Sequence, residues 1–295
     1  MEAIKVEAKS LLNRLKRRDD WYKCLYTLNP YRGCFFSCPY CYDVAEKRRG
    51  KYHIYPSEVS KQIYVKTNAS EVLRREIRRK PRDVVFIGSA TDPYQPAEEK
   101  FKVSRRCLEV LVEAGWPVEV GTKSLLLERD LDLLAEASEK AFCCVFITVT
   151  TLDEELVKLF EPSAPKPEER LRLVERLSDA GINVCVAMIP VFPYLTDNLN
   201  HFCEVASEAA KHGAKYFMAG ELTLPGEVKN RFYRLLEACR PELLPKYRQL
   251  YGASGYIQSS AYHAKIRRLE AEALAKFKLS REIALKAGLS LQDFL

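Results

Sequence analysis

The run GCFFSCPYCYD, residues 33 to 43, spaces Cys34, Cys38 and Cys41 as Cys-x3-Cys-x2-Cys, three thiols within eight residues. Thiols this close can form a disulfide, hold a zinc ion or hold an iron–sulfur cluster. A structural zinc site needs four ligands, and His53 in GKYHIYP would complete a Cys3His set. Zinc sites usually pair thiols at two Cys-x2-Cys knuckles, and no second pair follows. Soft thiolates spaced as these are can wrap one iron–sulfur cubane. Cys24, ten residues upstream on the incoming strand, is badly placed as a fourth ligand. One iron would then lack a protein ligand and would accept an external chelator.

The other cysteines sit mostly in apolar contexts such as FCCVFITV and INVCVAM, where a free thiol behaves as a small hydrophobe. With 295 residues, 47% of them hydrophobic, the chain is long enough for a full core. The longest apolar run, residues 142 to 149, is too short to cross a bilayer. The N-terminus carries acids and no continuous apolar stretch, so a cytoplasmic protein without a membrane segment is expected. The net charge of +7, with basic clusters at 14 to 18, 46 to 51, 74 to 82 and 265 to 268, permits a phosphate-bearing partner such as a nucleic acid.

The elements that must position the cysteine loop repeat as apolar strand, then amphipathic helix. Strand-like runs fall at 24 to 33, 83 to 88, 117 to 123, 143 to 151, 182 to 190 and 214 to 220, each followed by a loop or helical pattern. Short apolar runs alternating with helices predict right-handed βαβ units. Six such units are too few for a closed eight-stranded barrel, so the expected fold is α/β, an open partial (β/α)6 barrel of TIM type. A helical N-terminal extension over 1 to 20, the barrel over 21 to 225 and a helical C-terminal segment over 226 to 295 packing on it complete the expected organisation. The cysteine loop, GSATDPYQP, GTK, TVTT and IPVFP all fall at carboxyl ends of strands, where such folds bind ligands.

The loop GCFFSCPYCY resembles the cluster loop of the radical S-adenosylmethionine (SAM) superfamily. TDPYQPAEEK, GTKS, ITVTTLDEELVKLFEPSAPKPEERL and GINVCVAMIPVFPYLTD, in that order, resemble its spore photoproduct lyase-like branch, also described as DNA repair photolyase-like. The resemblance implies a [4Fe-4S] cluster on Cys34, Cys38 and Cys41, with SAM chelating the fourth iron. It also implies reductive cleavage to a 5′-deoxyadenosyl radical, an oxygen-sensitive protein, and an external one-electron reductant of ferredoxin or flavodoxin type.

On the same resemblance Tyr40 lies against the adenine and Tyr42 faces the substrate. Thr91 and Asp92 meet the methionine ammonium, Lys123 the carboxylate, and Thr148 and Thr150 the ribose. Asp92-Pro93 also reads as turn chemistry. Glu161 and Arg170 in EPSAPKPEER either brace a loop over the site or ride a surface loop. In the lyases a cysteine near the end of the second strand returns a hydrogen atom to the product. Here GSATD offers Ser89 and Ala90 instead, and Cys185 on the fifth strand is the remaining candidate. Hydrogen abstraction from an undefined substrate, nucleic acid or otherwise, is therefore the expected activity. Photoproduct repair, peptide or small-molecule modification and a zinc-stabilised nucleic-acid-binding module are the alternatives.

Overall fold

Short runs of β-branched and aromatic residues form the strands, and the helices between them turn one apolar face inward. The computed structural model describes residues 2–42 and 62–284. In chain order the strands are β1 (Glu2–Val6), β2 (Leu12–Arg14), β3 (Tyr26–Leu28), β4 (Tyr31–Arg32), β5 (Gln62–Lys66), β6 (Val85–Ile87), β7 (Val118–Thr122), β8 (Cys143–Thr148), β9 (Asn183–Val191) and β10 (Tyr216–Glu221). The helices are α1 (Ala69–Ile77), α2 (Ala97–Phe101), α3 (Val103–Glu113), α4 (Leu131–Lys140), α5 (Glu154–Phe160), α6 (Pro167–Asp179), α7 (Leu199–Lys211), α8 (Glu227–Cys239), α9 (Leu244–Tyr251) and α10 (Ser260–Phe277).

One sheet runs β10-β9-β8-β7-β6-β3-β2. Its six strands from β3 to β10 are parallel, and β2 joins the edge antiparallel. This is the expected open partial barrel. Side chains alternate between its two faces with period two. Val85, Ile87, Val118, Val120, Val145, Ile147, Val184, Val186 and Phe217 face the helices in one large core. Phe86, Cys144, Phe146, Cys185 and Met218 form a second apolar cluster on the opposite face, inside the barrel. The C-terminal helix α10 packs on α7 and β10.

The N-terminal expectation is corrected. Residues 2–6 and 12–14 are strands, not a helix: β1 pairs with β5 and β2 pairs with β3. Ile4 and Val6 alternate with exposed Lys5, a period-two pattern, and pairing with a distant strand outweighs local helix propensity. The small sheet β1-β5-β4 lies outside the six-strand pattern, and its β4 takes the end of the run expected to be one strand over 24 to 33. His53 and the basic run at 46 to 51 lie outside the described residues.

Candidate active site

The cysteine loop leaves β4 through Gly33, whose φ of +85° lies in the left-handed region and where a Cβ would come within 2.9 Å of the Gln62 carbonyl. From there the loop is tied down by the segment after β6. Thr91 donates its hydroxyl to the Gly33 carbonyl at 2.6 Å. Gln95, wholly buried, donates its amide to that carbonyl at 3.0 Å and to Thr91 Oγ1 at 3.1 Å, and accepts the Phe35 N–H at 3.0 Å. At the other side Arg231 on α8 donates to the Ser37 carbonyl at 2.8 Å.

Cys34, Cys38 and Cys41 all line one cavity of about 1050 Å³ at the carboxyl end of the barrel, and none of the chain's cysteines is tied up in a disulfide. That volume sits at the upper end of the roughly 300–1,000 Å³ typical of ligand cavities, enough for a cofactor and a second molecule. Burial pushes the Cys34 thiol far up, with the Asp92 charge adding to it. Burial also pushes Cys38 up to about 11, offset in part by the Lys123 ammonium. The thiols also oppose the effect of burial on Arg231 by favouring its charged form. Two cations therefore face the thiols, and Lys123 offsets part of the rise that burial imposes on Cys38.

Behind the loop stands a buried charge network. Tyr40 donates its hydroxyl to Glu161 at 2.5 Å, and Arg170, fully buried, pairs with Glu161 at 2.6 Å. Arg170 also donates to the Thr148 and Pro165 carbonyls at 2.9 and 2.8 Å. Lys123 lies 4.0 Å from Glu161 and 5.7 Å from the centre of the Tyr40 ring. Burial would raise the Glu161 carboxyl, but the charges of Arg170 and Lys123 hold it below its ordinary value. Of the two readings of EPSAPKPEER, the brace is the one the structure shows.

Asp92 accepts from the Thr122 hydroxyl at 2.6 Å, the Lys123 N–H at 2.8 Å and the Tyr94 N–H at 2.9 Å. Its turn chemistry and its place on the cavity wall thus coexist. Tyr40, Tyr42, Thr91, Lys123 and Thr148 line the cavity as well, and the Tyr42 hydroxyl donates to the Ser89 carbonyl. Thr150 does not reach the cavity; it is buried just past the end of β8, and its hydroxyl has no partner among the described residues. Cys185 is also off the cavity, fully buried in the inner cluster with Cys144 and Phe146. Cys24 does line it, together with the three loop cysteines, and burial raises its pKa to about 12.

A family model described as the Radical SAM superfamily matches residues 28–206. The chain belongs to that superfamily. Radical SAM membership carries with it SAM and an iron–sulfur cluster, and the donor set on the page suits a cluster: cysteines outside any disulfide line one cavity with Lys123 and Arg231. It is a radical SAM enzyme. The uncharacterized protein Rv2578c of Mycobacterium tuberculosis is 35% identical over 258 residues, 86% of this chain and 75% of that protein. The uncharacterized protein MJ0683 of Methanocaldococcus jannaschii is 29% identical over 198 residues, 67% of this chain and 70% of that one. Among solved structures, spore photoproduct lyase complexed with dinucleoside spore photoproduct superposes with a TM-score of 0.68 at 14% identity, covering 93% of this chain and 79% of the lyase. A double mutant of the lyase with bound AdoMet and dinucleoside spore photoproduct gives 0.70 at 14% identity, covering 93% and 78%. These likenesses bear on the fold.

Sequence reasoning missed several residues on the radical SAM cavity wall, Trp21, Arg231, Glu221 and His263, and read Arg267 only as part of the basic cluster at 265 to 268. All but Glu221 lie outside the six strand-and-helix units, so no strand-end argument could find them. Gln95 was in view within TDPYQP, but its role depends on where Gly33 comes to lie.

Proposed function

We propose that the protein abstracts hydrogen from its substrate, with Cys34, Cys38 and Cys41 holding a [4Fe-4S] cluster whose open iron is chelated by SAM. The observation that carries this is that those three cysteines, none of them in a disulfide, line one roomy cavity at the carboxyl ends of the strands. When bound, the cluster and SAM supply a one-electron reductive cleavage that yields a 5′-deoxyadenosyl radical.

The chain's own residues orient and shield. Lys123, held between Glu161 and the Tyr40 ring, is the group for the methionine carboxylate. Asp92 spends three of the roughly four lone-pair directions of a carboxylate on Thr122, Lys123 and Tyr94 and keeps one for the ammonium. Thr91 acts through the Gly33 carbonyl to set the cysteine loop. Tyr40 presents its ring to the adenine and Thr148 its hydroxyl to the ribose. Tyr42 stands at the substrate side beside Ser89. Ser89 and Ala90 line the cavity, and neither carries an S–H bond, so repair of a thymine photoproduct is not the activity we propose. A reductant of ferredoxin or flavodoxin type supplies the electron, and the +7 balance suits a phosphate-bearing substrate, nucleic acid included.

The test is anaerobic reconstitution with iron and sulfide, then dithionite and SAM, with 5′-deoxyadenosine followed by chromatography. The expected result is 5′-deoxyadenosine from the wild type and none from Cys38→Ala. A colourless protein that titrates with one zinc and cleaves no SAM overturns the reading.

A further inference from the structure

Opposite in chemistry to the cysteine wall is a second wall of the same cavity, built from the end of β10 and from α10. Glu221, the last residue of β10, places both carboxylate oxygens 2.7 Å from Nδ1 of His263 on α10. An ionised carboxylate only accepts, so Nδ1 carries the proton and donates it, leaving Nε2 as the free edge of the ring. Arg267 follows His263 by four residues, which puts both on one face of the helix, and both line the cavity.

The charges around them are already committed. Arg281 pairs with Glu270 and lies 5.0 Å over the Trp21 ring. Glu270 also accepts the Ala219 N–H at 2.8 Å. Lys265 pairs with Asp197 at 2.8 Å. Asp19, on the same cavity, accepts the N–H groups of Trp21 and Tyr22 at 2.8 and 2.9 Å. Arg267 makes no hydrogen bond or ion pair among the described residues. The wall thus holds one uncommitted guanidinium next to an imidazole whose orientation a carboxylate has fixed.

We infer that His263 and Arg267, with Glu221 as the positioning residue for the imidazole, form a substrate subsite for an oxyanion, a phosphate ester or a carboxylate. The guanidinium fork meets two oxygens of such a group, and Nε2 of the imidazole accepts from a hydroxyl on that group or beside it. This rests on the reading that the cavity holds cofactor and substrate together, and it adds the chemical class of what the substrate presents.

The chain has four histidines, so the imidazole Cε1–H region of a heteronuclear NMR spectrum is simple, and His263→Gln identifies the signal. The full chain, reconstituted with iron and sulfide and kept oxidised, is titrated with inorganic phosphate and separately with acetate. The expected result is a saturable shift of the His263 signal, weakened about tenfold or more in Arg267→Ala, the loss of one charge-assisted pair. A response to phosphate alone supports a phosphate ester, and a response to both supports oxyanions in general, carboxylates included. A His263 signal unmoved by either anion, or moving in step with His201 and His212, overturns the subsite. Neither outcome depends on SAM cleavage. A shift without 5′-deoxyadenosine sinks the proposed activity and spares the subsite, and cleavage without a shift does the reverse.

Discussion

Glu161 binds three partners of different chemistry, a phenol, a guanidinium and an ammonium, and is buried away from solvent. Removing the guanidinium leaves a buried carboxylate short of its main partner, which costs about 3–5 kcal/mol. Arg170→Leu is therefore expected to lower the unfolding midpoint by several degrees or more and to release the Thr148 carbonyl, and calorimetry checks it. Iron bound per chain after reconstitution should fall with it, because Tyr40 in the cysteine loop loses the far side of its anchor. At this scale the sequence was legible where chemistry is local. Cys34, Cys38 and Cys41 could be read because their ligand spacing lies within one loop. Glu161 and Arg170 could be read only as a pair of alternatives, since what each touches is settled by the return of Tyr40 from more than a hundred residues earlier. Thr150 shows the opposite error. It shares a parity with Thr148, but the chain leaves the strand at Thr148 and the alternation stops there.

The cysteine loop is an element without secondary structure of its own, and its position is set by two side chains from the segment after β6. Gln95→Ala deletes three hydrogen bonds and leaves the Phe35 N–H without its acceptor. At roughly 1 kcal/mol per bond the expected loss is about 2–3 kcal/mol, seen as a lower denaturation midpoint. Iron content should drop more than stability does, since the loop is loosened where it must hold a cluster. Strand positions were legible because parallel strands covered on both faces read as apolar runs, and all six lie within a few residues of their expected places. The N-terminal strands were not. Each is three to five residues long and takes its identity from β3 or β5, a partner that local propensity does not name.

Across the molecule, the inner face of the barrel below the cavity carries an unexpected carboxyl group. Glu119 on β7 is fully buried and neither carboxylate oxygen has a hydrogen-bond partner among the described residues. Burial, with the Asp19 charge adding to it, pushes its pKa well above the ordinary 4.5. The folded chain therefore holds this proton more tightly than the unfolded chain. The contribution to stability is present below about pH 4.5 and is lost as pH rises from there toward the folded pKa. Glu119→Gln should flatten the fall of the unfolding midpoint with pH above 5, as thermal scans on both proteins across pH 5 to 9 would show. A slope the same in both would mean that the carboxyl is not buried in solution.

The sheet ends at β2 on one side and β10 on the other. Near β10 the indole of Trp21 rests on Gly220, where even a methyl group would come within 3.0 Å of the ring, and Arg281 covers the indole. Backbone bonds join this edge to Ser280 at Lys215 and Phe217, whereas at Gly220 side chains cover it. Rotamers turn over far faster than strands unzip. The indole and the guanidinium can therefore change rotamer at Gly220 while the backbone pairing of β9 with β10 stays in place.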